Sequence, residues 1–217
     1  MEQDHNERFQ LDRIAMFSDA VFAIAITLLI LEIHIPDQRP GTTDLDLLQY
    51  LDVSIPKFVG FLVSFFVIGQ FWMAHHRMFR YLERSSQALL VSNLFFLLPI
   101  VIMPFSTAFF SEYFNGELRV PLAVYTATIL LAGLLSFRLW HVALDPANKL
   151  GPPVEKVVLR YNSARALMAP AVFVLLFLVS FISKQAAFTL VPFILLSGWA
   201  VRRYFLRKHA DKIKPHL

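Results

Sequence analysis

The sequence contains no cysteine. That absence excludes disulfides, thiolate metal sites, iron–sulfur clusters and a cysteine nucleophile. It is poor in glycine, with seven in 217 residues, and poor in charge, at 17% where soluble domains carry about a quarter. Apolar side chains fill the difference. They make up 57% of the chain, with twenty-two Phe, and the mean hydropathy is +0.57. A net charge of +4 and a pI near 9.5 suit either nucleic acid or acidic lipid as partner, so the placement of the charges decides between them.

A bilayer core about 30 Å thick is crossed by roughly 20 apolar residues of helix. Six stretches have that length: 14–35, 56–79, 88–110, 120–141, 165–183 and 186–206. The first is too long for a signal peptide, follows the mixed-charge MEQDHNERFQLDR and precedes no small-residue cleavage site. Only Lys184 and Gln185 separate the last two, which predicts a tight helical hairpin. The connections are short. The longest are 36–55 and 142–164, the latter carrying Asp145-Pro146 and Gly151-Pro152-Pro153 as turn signals and a predicted short interfacial helix at 154–160. The expectation is an all-α, six-transmembrane-helix protein whose residues 1–217 form a single integral-membrane domain without internal repeat.

The cations alternate between connections. Arg8 and Arg13, then Arg77, Arg80 and Arg84, then Arg138, Lys149, Lys156, Arg160 and Arg165, then Arg202, Arg203, Arg207, Lys208, Lys212 and Lys214 all fall on one side. That is sixteen of the twenty Lys and Arg residues; Arg39, Lys57, Arg119 and Lys184 fall on the other, with Asp37, Asp44, Asp46, Asp52, Glu112 and Glu117. The positive-inside bias then predicts a multi-pass cell-membrane protein with both termini cytoplasmic. The basic end reads as a contact for anionic lipid headgroups rather than as a nucleic-acid arm.

Ionisable and amide side chains are costly in hydrocarbon, so each one inside a span points to pairing or function. Ser18 and Asp19 stand near the cytoplasmic end of the first segment, Trp72, His75 and His76 near that of the second, and Ser92 and Asn93 near that of the third. Asp19, His75 or His76, and Asn93 share one depth, which predicts a polar cluster joining three helices. It reads as a staple, as an element of a proton relay or gate, or as both. Adjacent histidines point about 100° apart, a poor metal-ligand spacing, and Ser18 lacks a nucleophile turn or an oxyanion hole, so neither a metal site nor an enzyme is expected.

On a helical wheel of the first segment Leu28 lies about 40° from Ile24, and Leu31 and Phe17 lie about 20° to either side of it. Thr27 flanks this stripe at about 60°, and Asp19 points away. Such a stripe packs against lipid or a neighbouring helix, or lines a narrow apolar path. The chain lacks TVGYG and hence a carbonyl filter of the usual potassium-channel kind.

Arg13-x-x-x-Phe17-Ser18-Asp19 followed by AVFAIAITLLILEI resembles the signature of the transmembrane protein 175 family of potassium channels, in its prokaryotic single-repeat branch. The stretches SFFVIGQFWMAHHRMF and SNLFFLLPIVIMPF resemble that family's second and third helices. The resemblance implies a homotetramer whose first helix lines a central pore. It implies Ile24, Leu28 and Leu31 as the aliphatic constriction, and Thr27 as a hydroxyl layer linked to selectivity. It also implies a helix-clamping network of Arg13, Phe17, Ser18, Asp19, Trp72, His76 and Asn93. The implied activity is a potassium-selective cation leak through a hydrophobic gate, with no cofactor beyond the permeant ion. The alternative is a proton-coupled secondary transporter using Asp19 and His76; the absence of an inverted repeat stands against it.

Overall fold

A computed structural model describes residues 2–37, 40–114, 118–183, 186–187, 189–190 and 193–213. Among the described residues six long helices follow one another: α1 Glu2–Leu31, α2 Asp44–Phe79, α3 Gln87–Glu112, α4 Val120–Leu144, α5 Lys156–Val179 and α6 Phe193–Ile213. A 3₁₀ turn at Pro146–Asn148 lies between α4 and α5. The described residues contain no β-strand. The expected all-α fold is found.

Local chemistry sets where these helices begin. Thr43 caps α2 in a reciprocal box, its hydroxyl accepting from Asp46 N–H while the Asp46 carboxylate accepts from Thr43 N–H at 2.8 Å. Ser86 caps α3 by accepting from Leu89 N–H at 3.1 Å. Pro121 sits at the start of α4, where a missing N–H is harmless. Asp145 caps the 3₁₀ turn through Ala147 N–H at 2.9 Å, and Lys149 closes it in the left-handed region, at φ 49°.

The core runs through α1, α2, α3, α4 and α5, with Trp140, Tyr125, Phe22, Phe96 and Phe173 its largest fully buried side chains. α3 packs on α1, α2 and α4, α4 on α5, and α5 on α6. Gly133 lets α4 approach α5 closely. A Cβ there would run into Pro170 and the Ala166 carbonyl.

One end of the bundle gathers both termini's helices and two connections. Glu83 and Arg84 N–H donate to the Leu150 carbonyl at 2.7 and 3.0 Å, Arg84 pairs with Glu7 at 3.3 Å, and Ser85 donates to Gln10 at 3.3 Å. Phe205, late in α6, meets Tyr161, early in α5, so α6 returns antiparallel to the same end. The opposite end holds the Lys57–Glu112 pair at 2.7 Å and Arg119 over the Phe181 ring. The predicted segregation of cations therefore has a geometric counterpart.

Several boundaries differ from the expectation. α1 starts at Glu2 rather than 14 and stops at Leu31; α2 starts at Asp44 rather than 56; α5 covers Lys156–Val179 rather than 165–183 and absorbs most of the predicted interfacial helix. At about 1.5 Å per residue the 36 residues of α2 exceed the hydrocarbon thickness, so its first turns extend beyond it. Five helices, α1 to α5, are long and apolar enough to cross a membrane among the described residues. α6 carries Arg202, Arg203, Arg207 and Lys208 from its tenth residue on, which leaves its described apolar part short of a crossing. Arg39, Glu117, Lys184, Gln185, Pro192 and Lys214 lie outside the described residues, as does the side chain of Lys212.

Candidate pore helix and its polar anchor

α1 has two faces. Leu11, Ile14, Ser18, Phe22, Ala25 and Leu29 recur at three- and four-residue intervals and are buried against α2 and α3. The other face is bare. Ile24 is 58% exposed, Leu28 40%, Leu31 67% and Phe17 53%, and Thr27 and Arg13 are exposed with them. The stripe drawn on the wheel is thus uncovered within one chain.

Thr27 Oγ1 lies 3.0 Å from the Ala23 carbonyl and 2.9 Å from that of Ile24. Its proton is committed to the backbone, which leaves its oxygen lone pairs turned outward.

The buried face carries a directed chain of hydrogen bonds. Asn93 Oδ1 can only accept, so His75 Nε2–H donates to it at 2.8 Å. Asn93 Nδ2–H donates to Ser18 Oγ at 2.9 Å, and Ser18 Oγ–H donates to the Ile14 carbonyl at 2.8 Å. Three helices are tied at one depth, with Ser18, His75 and Asn93 all buried. Aromatic rings enclose the imidazole. Phe96 stacks on it at 5.7 Å, Phe79 lies at 4.6 Å and Phe22 at 5.7 Å.

A second tie joins α1 to α2 nearer the edge, where the Trp72 indole N–H donates to Asp19 Oδ1 at 2.8 Å. His76 is exposed, and its ring lies 5.8 Å from that of Trp72, outside the hydrogen-bonded chain. Arg13 and Phe17 are not in the cluster either. They line a cavity of about 640 Å³ with Gln10, Ser85, Ser86 and Gln87 at the basic end, and Arg13 reaches over the Phe9 ring. The predicted set therefore divides into Ser18 with Asn93, Asp19 with Trp72, and three outliers: Arg13, Phe17 and His76.

Among the described residues no group of three His, Asp or Glu side chains could hold a metal ion. Sequence reasoning did not single out a second polar cluster in the other half of the bundle. There Ser64 Oγ bonds Thr107 Oγ1 at 2.8 Å and Tyr125 Oη at 2.7 Å, and Thr107 donates to the Met103 carbonyl.

These features recur in known proteins. Residues 13–104, which contain the stripe and every hydrogen-bonding member of the α1 anchor, match the profile of the family described as Endosomal/lysosomal potassium channel TMEM175. A potassium channel of Chamaesiphon minutus is 33% identical over 178 residues, covering 82% of this chain and 87% of that one. The chain belongs to the TMEM175 ion-channel family. A potassium channel of Streptomyces collinus is 35% identical over 156 residues, covering 70% of this chain and 74% of its own length. The crystal structure of a lysosomal potassium-selective channel TMEM175 homolog from Chamaesiphon minutus matches with a TM-score of 0.71 at 30% identity, over 93% of this chain and all of that one. TMEM175 is a family of membrane channels and not of enzymes, and this member has its all-helical fold.

Proposed function

We propose that four copies of this chain assemble as a potassium-selective leak channel in the cell membrane, with both termini cytoplasmic and α1 of each copy facing the axis. The observation that carries the reading is the bare aliphatic face of α1, opposite a face anchored by five buried apolar side chains and a buried hydroxyl. Ile24, Leu28 and Leu31 of each copy form the constriction and gate, and the Thr27 oxygens offer cation ligands beside it. Residues 1–217 act as one membrane unit with six crossings. The return of α6 beside α5 supports this topology.

The selectivity follows from hydration. Aliphatic rings offer no replacement ligands, so an ion crosses with a partly stripped water shell. Caesium holds its water least tightly, then potassium, then sodium, and permeation falls in that order. One outward-facing Thr27 oxygen per copy lowers the barrier for the weakly hydrated ions. The basic end meets anionic headgroups; no nucleic acid or cofactor takes part.

The proton-coupled reading has less support. The His75–Asn93–Ser18 chain ends on a backbone carbonyl, and Asp19 is held by an indole N–H that does not titrate. Cation flux from potassium-loaded liposomes tests the channel reading, with expected order caesium ≥ potassium > sodium. Leu31→Ala is expected to raise flux severalfold and to narrow the differences among the ions. A variant that conducts like the parent would remove Leu31 from the constriction. Saturable, counter-ion-stimulated flux would favour a transporter.

A further inference from the structure

Near the basic end a crevice between α2 and α5 is lined by Arg77 and Arg165, and it continues toward the membrane centre past Ala74, Phe71, Ala166 and Ala169. The two arginines share its lining and act on each other as like charges. The other charged and phenolic groups acting on Arg77 are Arg80, Tyr81 and Tyr161, and none is a carboxylate. The Arg77 Nε–H is buried and has no hydrogen-bond partner. Arg165 donates to Tyr161 Oη at 3.1 Å and lies over the same ring, which leaves most of its donors unused.

Two half-buried cations without a counter-charge are unfavourable unless an anion completes them. We propose that this crevice is an oxyanion site that takes one phosphate oxygen between Arg77 and Arg165. Its room, about 20 Å³, exceeds the roughly 10–15 Å³ that a single water-sized group needs. Guanidinium forks suit phosphate oxygens, and basic pockets between membrane helices receive lipid headgroups. The oxygen can come from an anionic phospholipid or from free phosphate. The apolar stretches of α2 and α5 end at these arginines, toward the basic end of the bundle. A phospholipid is therefore the expected source. The site is independent of conduction, so the channel reading stands whether or not it is occupied.

The test uses the full chain in neutral detergent and reads its thermal midpoint with phosphatidylglycerol, phosphatidylcholine or inorganic phosphate added. Phosphatidylglycerol is expected to raise the parent midpoint by several degrees and phosphatidylcholine to leave it unchanged. Arg165→Gln is expected to need at least tenfold more phosphatidylglycerol for the same shift. Without additive it should unfold no earlier than the parent, because one of two repelling charges is gone; a merely structural arginine would give the reverse order. Arg203→Gln, on the exposed part of α6, should respond as the parent does. An equal rise with inorganic phosphate would keep the oxyanion site and assign it to the free ion. Parent-like responses in both Arg77→Gln and Arg165→Gln would overturn the site. If those variants fail to fold, native mass spectrometry of the parent decides, since retention of neither lipid nor phosphate would overturn it as well.

Discussion

Asn93 holds the centre of the α1 anchor because its amide satisfies a donor and an acceptor from two other helices at once. Replacing it with Leu leaves the His75 N–H and the Ser18 oxygen buried with no amide to meet. An unsatisfied buried group costs about 1–3 kcal/mol, so Asn93→Leu is expected to destabilise by about 2–4 kcal/mol. Thermal unfolding in detergent would show this as an earlier midpoint with loss of assembly. A parent-like midpoint would mean that the cluster contributes little. Ser18, Asp19, Trp72 and Asn93 were legible in the sequence because polar groups stand out in hydrocarbon. The choice of histidine was harder, since adjacent positions differ only in the face they present. The signal lay in spacing. Ser64, Ile68, Phe71, His75 and Met78 form one buried stripe of α2 at three- and four-residue steps, and His76 falls off it.

At the scale of the helices, five of the six spans were readable from composition, but ends were not. Apolar counting finds the portion inside hydrocarbon, whereas capping and amphipathic turns prolong a helix into water. Thr43 and Asp46 initiate α2 twelve residues before the stretch predicted at 56, and a hydropathy threshold does not register a capping box. Thr43→Ala is expected to cost about 1 kcal/mol and to fray the first turn, which faster amide exchange over residues 44–47 would report. The α4–α5 contact has a stricter requirement. A side chain at Gly133 meets a proline ring and a backbone carbonyl, neither of which can swing aside. Gly133→Val is therefore expected to destabilise by at least about 1–3 kcal/mol, the usual range for overpacking, with a lowered folded yield as the readout. A well-folded variant would show that the two helices can separate without loss.

For the whole molecule the two ends carry opposite electrostatics. The end that holds Asp37, Asp44 and Asp52 is acidic, and all three carboxylates are exposed. Exposed carboxylates near a pore mouth concentrate cations there without touching the constriction, so their effect falls on conductance rather than on ion preference. Replacing the three together by Asn, and sparing Asp46 because it caps α2, should lower potassium conductance about twofold in dilute salt. The deficit should vanish near 1 M salt, where the screening length falls to about 3 Å. The caesium, potassium and sodium order should not move if it is set, as proposed, at Ile24, Leu28 and Leu31. A triple variant with altered ion order would place these carboxylates in the ion path itself. A deficit that persists at high salt would mean that they act through the fold and not through their field.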